Sequence, residues 1–156
     1  LDGKENSEAL NTVGCAGRLV AFSELEDGRY MITLLGLSRY SIVEEEKGFT
    51  PYRRCQVDWA GFSQDQGVAE TDETLNRENL LHLAEKYFAR QNQLPDVESL
   101  RKADDEFLVN SLSMICPFSV EDKQALLEAP TLKQRQETLT TLLEYALRGG
   151  SSERLM

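Results

Sequence analysis

From Gly14 to Trp59 apolar and polar residues alternate in short runs, the period-two pattern of half-buried strands. Leu19 and Ala21 fall on one face of the first run, and Tyr30, Ile32 and Leu34 on one face of the second. Tyr40 and Ile42 do so in the third run, Val57 and Trp59 in the fourth. The pattern predicts strands over residues 15–22, 29–35, 37–44 and 51–58. Asp27-Gly28 lies between the first two. That dipeptide suits a two-residue turn with positive φ at both positions, because Gly lacks a Cβ and Asp tolerates the left-handed region. Gly36 interrupts an otherwise continuous run, so a bulge or sharp bend is expected there. Pro51 opens the last strand, where its missing donor is harmless. The whole reads as an antiparallel meander.

Residues 60–74, AGFSQDQGVAETDET, read as a loop linking sheet to helices. From Leu75 the period becomes helical. Leu80, Leu83, Ala84, Tyr87 and Phe88 form one stripe, and NQLPD at 92–96 ends that helix. A second helix is predicted from Val97 to Ile115. Its inner face would carry Leu100, Ala103, Phe107, Leu108 and Leu112, while Arg101, Lys102, Asp105 and Glu106 stay wet. Ser119 with acids after it and the Thr131-x-x-Gln134 box mark two further starts. The last helix carries Leu132, Leu139, Leu142, Leu143 and Ala146 on one face and stops at Gly149-Gly150. Strands first and helices after predict an α+β fold rather than alternating α/β. The expected division is a polar segment at 1–13, a β-meander at 14–59, a linking loop at 60–74, a helical subdomain at 75–148 and a flexible tail at 149–156.

A chain of 156 residues buries enough surface to fold without a metal or disulfide. The formal charge of −10, from 27 acids against 17 bases, repels phosphate backbones and anionic membranes. Nucleic acid and membrane are therefore disfavoured partners. Cys15, Cys55 and Cys116 are widely spaced and form no CxxC pair, which reads as reduced thiols in a cytoplasmic protein. No apolar run reaches the ~20 residues of a membrane span.

The run GCAGRLVAFSELEDGRYMITLLGLSRYSIVEEE, followed by PYRRCQVDW, resembles the LON domain, the N-terminal substrate-binding domain of ATP-dependent Lon proteases. NSLSMICPFSVEDKQALLEAPTLKQRQETLTTLLEYAL resembles the helical half of stand-alone bacterial proteins that carry this domain. The resemblance covers residues 13–147. It implies an antiparallel, PUA-like β subdomain followed by a C-terminal helical bundle. The polar run 1–11, which does not begin with Met, implies that strands and a short helix opening the family's fold have no counterpart here. The β subdomain would then be an incomplete barrel, and its orphaned strand edges would invite a homo-oligomer. Gly36-Leu-Ser-Arg39-Tyr40 matches the family's Gly-x-x-Arg-aromatic pattern, with Arg39 read as a structural ion-pair or carbonyl ligand.

The search for chemistry is negative. No G-x-x-x-x-G-K-[ST] loop is present to wrap a phosphate, and nothing resembles the serine–lysine protease domain of Lon. His82, the one histidine, lies on a helix with no nucleophile beside it and reads as a surface residue. Asp104-Asp105-Glu106 and Glu44-Glu45-Glu46 read as solvated runs, since sequence neighbours on a helix point apart. No catalytic residue, cofactor or metal is therefore expected. What remains is binding. Phe49, Tyr52, Trp59 and Phe62 sit near strand ends and the long loop. They are either core plugs or a partly exposed patch that contacts extended polypeptide. The expected function is a non-catalytic polypeptide-recognition module without ATPase or protease parts, which hands clients to a protease or regulates one in trans. The alternative is RNA binding through the PUA-like subdomain, for which Arg53-Arg54 is the notable basic pair.

Overall fold

A computed structural model describes residues 9–48, 50–92 and 97–149. The chain divides into two units, Leu1–Gly67 and Val68–Met156. In the first, β1 (Val13–Glu24), β2 (Tyr30–Glu46) and β3 (Arg54–Asp58) form an open antiparallel sheet in the order β1-β2-β3. This is the expected meander, and among the described residues it does not close into a barrel.

The two strands expected at 29–35 and 37–44 are one continuous strand. Gly36 does not end it. Ala16 pairs with Ser38 and Gly17 with Gly36, so Leu37 is the extra residue of a bulge. A bulge absorbs one residue while the ladder continues on either side. A second bulge sits in β1, where Leu19 pairs with Leu34 and Ala21 with Thr33. Consecutive residues of β2 point to opposite faces, so Leu19 and Ala21 also lie on opposite faces. The extra residue, Val20, shifts the alternation by one, which corrects the shared face expected for that pair.

The hairpin connection is also longer than expected. Leu25 N–H donates to Arg29 O at 2.8 Å and Gly28 N–H to Leu25 O at 3.0 Å, enclosing Glu26, Asp27 and Gly28. Gly28 has φ 78°, but Asp27 is not in the left-handed region. This is a three-residue loop ending on a left-handed Gly. Asp27 serves by its carboxylate, which accepts from the Arg29 amide at 3.1 Å and Arg29 Nε at 2.7 Å. The Arg29 side chain and amide hold that carboxyl below its usual range.

β3 pairs only with Ser41–Glu46 of β2. The β1–β2 ribbon therefore runs on past β3 as two strands. After β3 the expected loop contains a 3₁₀ segment, Ala60–Gln66, kinked at Phe62 (φ −130°, ψ 30°).

The second unit is helical: α1 Arg77–Arg90, α2 Val97–Arg101, α3 Asp105–Ile115, α4 Val120–Glu128 and α5 Leu132–Gly149. Leu80, Ala84, Tyr87 and Phe88 of α1 are buried as the stripe predicts, with Leu83 half-buried. The single helix expected over 97–115 is instead two. Asp104 caps α3 by accepting from Phe107 N–H at 2.7 Å, so the ladder restarts there. The restart changes the phase. Leu100, Leu108 and Leu112 are buried, but Phe107, expected inside, is exposed. Asp105 and Glu106, expected wet, are half-buried and engaged. Arg77 pairs with Asp105 and donates to Ala103 O at 2.7 Å, and Glu106 accepts from Glu70 N–H at 2.9 Å.

The two later caps form as read. Ser119 accepts from Asp122 N–H at 3.1 Å, and Thr131 from Gln134 N–H at 3.3 Å. Glu70 adds a distant cap, accepting from Leu132 N–H at 2.9 Å. Leu126, Leu132, Leu139 and Leu143 complete the core. The NQLPD stop beyond Asn92, and Gly150, lie outside the described residues.

Candidate functional site

The sheet is anchored where β2 meets the 3₁₀ segment. Arg39 is 5% exposed. Its amide and Nε donate to Asp65 Oδ2 at 2.8 and 2.9 Å, and Nη2 to Oδ1 at 2.6 Å. The guanidinium lies 4.5 Å over the ring of Phe62. Burying this charge is tolerable because carboxylate and π-face both compensate it. Arg39 is thus the ion-paired structural residue expected from the sequence.

Beside the anchor, Tyr40 covers Gly14. A Cβ at Gly14 would stand 2.7 Å from the Tyr40 ring, so only glycine leaves room for it. Tyr40 in turn meets Trp59 edge-on, with ring centroids 5.3 Å apart. Trp59 remains 41% exposed. Tyr52 is exposed, Phe62 is buried under Arg39, and Phe49 lies outside the described residues. Of the four aromatics singled out in the sequence, Tyr52 and Trp59 present surface.

The larger apolar surface is the ribbon beyond β3. Leu19 pairs with Leu34 and Phe22 with Ile32, so these four side chains share a face. Tyr30 joins them by stacking on Phe22, with centroids 5.1 Å apart. Met31 and Leu35 take the opposite face. All seven are more than half exposed, Phe22 the most at 61%. Sequence reasoning placed these residues in half-buried strands and missed them as surface. A signal was present: in Tyr30–Leu37, YMITLLGL, both phases of the alternation are apolar, so two faces need cover rather than one.

Several of the other polar groups are engaged in structure. Glu45 pairs with Arg53 at 2.6 Å and Glu46 with Arg54 at 3.1 Å. The hydrogen bond between Glu45 and Arg53 lowers the one pKa and raises the other. Both members of the basic pair Arg53-Arg54 are therefore neutralised locally. Asp104 is a cap, Asp105 an ion-pair partner and Glu106 an acceptor, so that run builds no acid–base pair. His82 is exposed on α1. Cys15 is exposed, Cys55 half-buried, and Cys116 fully buried, with burial pushing its thiol up to about 12. Among the described residues no three His, Cys, Asp or Glu side chains gather as a metal cluster. No described helix is long and apolar enough to cross a membrane.

The family described as ATP-dependent protease La (LON) substrate-binding domain matches residues 2–145 of the chain. Among curated proteins we found no match to it.

Proposed function

Because this chain belongs to the LON substrate-binding domain family, and is thereby a substrate-recognition module, we propose that its substrate is unfolded or extended polypeptide. It holds the polypeptide without breaking it and presents it to a protease. The observation that carries this reading is the β1–β2 ribbon: two apolar faces and, among the described residues, a strand edge without a neighbouring strand in one place. An extended segment laid along such an edge completes the ladder with its own backbone, while apolar side chains contact the faces. Tyr52 and Trp59 extend the apolar surface near β3. The charge of −10 favours basic clients. Three free thiols fit a reducing, cytoplasmic setting. The RNA alternative loses its main support where Glu45 and Glu46 neutralise Arg53 and Arg54.

The test is fluorescence anisotropy of a labelled, reduced and carboxymethylated protein titrated with this chain, with Trp59→Ala and with Ile32→Ser. Wild type binds, and Ile32→Ser weakens binding about tenfold, the effect of losing one well-covered aliphatic side chain. Equal, negligible binding by all three removes the proposal. A gel shift on RNA at low salt should show no complex.

A further inference from the structure

Three cross-strand pairs make one face of the ribbon beyond β3: Leu19 with Leu34, Phe22 with Ile32, and Glu24 with Tyr30. They share a face because Tyr30, Ile32 and Leu34 alternate along β2, and residues directly opposite one another point the same way. Leu19, Phe22, Tyr30, Ile32 and Leu34 are apolar, and each is more than half exposed. Glu24 is the one charge among these pairs, and it stands at the hairpin end.

Glu24 is exposed, and among the described residues its carboxylate has no hydrogen-bond or ion-pair partner. Neither cation of the hairpin neutralises it. Arg29 pairs with Asp27 at 2.7 Å. Arg18 lies opposite Leu35 on the other face, and about 20 Å back along β1 at the rise of a strand, beyond a Debye length. Glu26, exposed in the hairpin loop, adds acid to the same end. The face is therefore asymmetric: a row of apolar side chains closed at one end by an uncompensated carboxylate. Its complement is a segment whose apolar residues end on a base.

We propose that Glu24 is a specificity residue of this face, selecting polypeptide segments in which alternating apolar residues are flanked, two positions on, by lysine or arginine. The proposal rests on the polypeptide reading, and it places the preference for basic clients in one side chain rather than in the net charge of −10. A segment laid along β1 sets its side chains opposite those of the strand, with Cβ atoms about 5 Å apart. Its apolar residues then meet Leu19 and Phe22, and its basic residue meets Glu24. An acidic residue in that place would set like charges opposite each other, which is disfavoured.

Three labelled, end-capped peptides test it by fluorescence anisotropy: one stretch of alternating valine and serine, ended by lysine, glutamine or glutamate. Wild type binds the lysine peptide about threefold tighter than the glutamine peptide, and the glutamate peptide about threefold weaker again, the range of an exposed cross-strand charge pair. Glu24→Gln removes both steps, and Glu24→Lys inverts their order. Glu44→Gln takes the same charge from an exposed position, roughly 45 Å along β2 from Tyr30, and leaves both steps intact. The preference fades in about 1 M salt, where screening is nearly complete. Circular dichroism confirms that each variant folds. Equal binding of the three peptides by wild type, or a preference that survives Glu24→Gln, overturns the proposal and leaves the polypeptide reading standing. Negligible binding of all three removes that reading, and the proposal with it.

Discussion

One carboxylate, Asp65, holds Arg39 by main chain and side chain together: it accepts from the Arg39 amide at 2.8 Å and from Nη2 at 2.6 Å. The two residues are 26 positions apart, and the pair fastens the 3₁₀ segment to β2. A buried guanidinium left without its carboxylate is worse than no charge at all, so Asp65→Ala should cost about 3–5 kcal/mol. Asp65→Asn retains one acceptor oxygen and should cost less. Arg39→Met combined with Asp65→Leu should recover much of the loss. Trp59 is the only tryptophan in the chain and lies beside this anchor, so denaturation followed by its fluorescence reads the sheet unit directly. A loss below 1 kcal/mol for Asp65→Ala would show that the pair is not an anchor.

Gly14→Ala should destabilise the same unit by about 1–3 kcal/mol, an overpacking effect. The new Cβ must displace Tyr40, which then loses its edge-on contact with Trp59. A shifted Trp59 emission in the folded variant, together with the lower denaturation midpoint, would report that displacement. Unchanged emission and midpoint would mean that Tyr40 moves freely.

Glu70 supplies the acceptor for the first amide of α5 from 62 residues upstream. Glu70→Ala should cost about 1 kcal/mol, as the loss of a helix cap does. Glu70→Gln keeps a hydrogen-bonding oxygen and gives up only the charge near the helix N-terminus, for roughly 0.5 kcal/mol. Far-ultraviolet circular dichroism against urea measures both. Equal losses would assign the effect to charge alone.

Cys116 gives the helical unit an alkaline weakness. Burial raises its thiol to about 12 in the fold, against ~8.5 in an unfolded chain. Above ~8.5 the unfolded chain releases this proton and the folded one keeps it, so the unfolded state binds fewer protons and stability falls as pH rises. The window runs from ~8.5 to about 12, with a slope near 1.4 kcal/mol per pH unit. Tyr87, also raised by burial, adds to the fall at its upper end. Cys116→Ala should flatten the pH dependence while lowering stability at neutral pH through the cavity it leaves. Urea midpoints at pH 7, 9 and 10 check it. Identical slopes in wild type and variant would refute the assignment.

Local chemistry was legible in the chain. Alternation marked the sheet, Gly28 marked a hairpin, and Ser119 and Thr131 marked helix starts, because each depends on residues within a few positions of one another. Arg39 could be recognised as structural from the motif around it. What surrounded these elements was not legible. Asp27 looked like a turn residue by its backbone and acts by its side chain. Phe107 carried the helical period but lost its place inside when Asp104 restarted the helix. Leu19 and Ala21 parted faces because one bulged residue reverses the alternation, and a bulge is decided by pairing with another strand.

The same limit governed the candidate surface. Phe62 and Trp59 are equivalent aromatics in sequence, three positions apart, yet one lies under Arg39 and the other faces solvent. Hydrophobicity fixes only that a side chain gains from cover. Which side chains receive it depends on where strands end, and β3 ends before it reaches the ribbon. By itself the sequence determined the kinds of element, their order and several of their caps, since these are set by neighbouring residues. The tertiary structure decided the register, the partner of each buried charge and the exposed apolar ribbon, since these are set by contacts between distant parts of the chain.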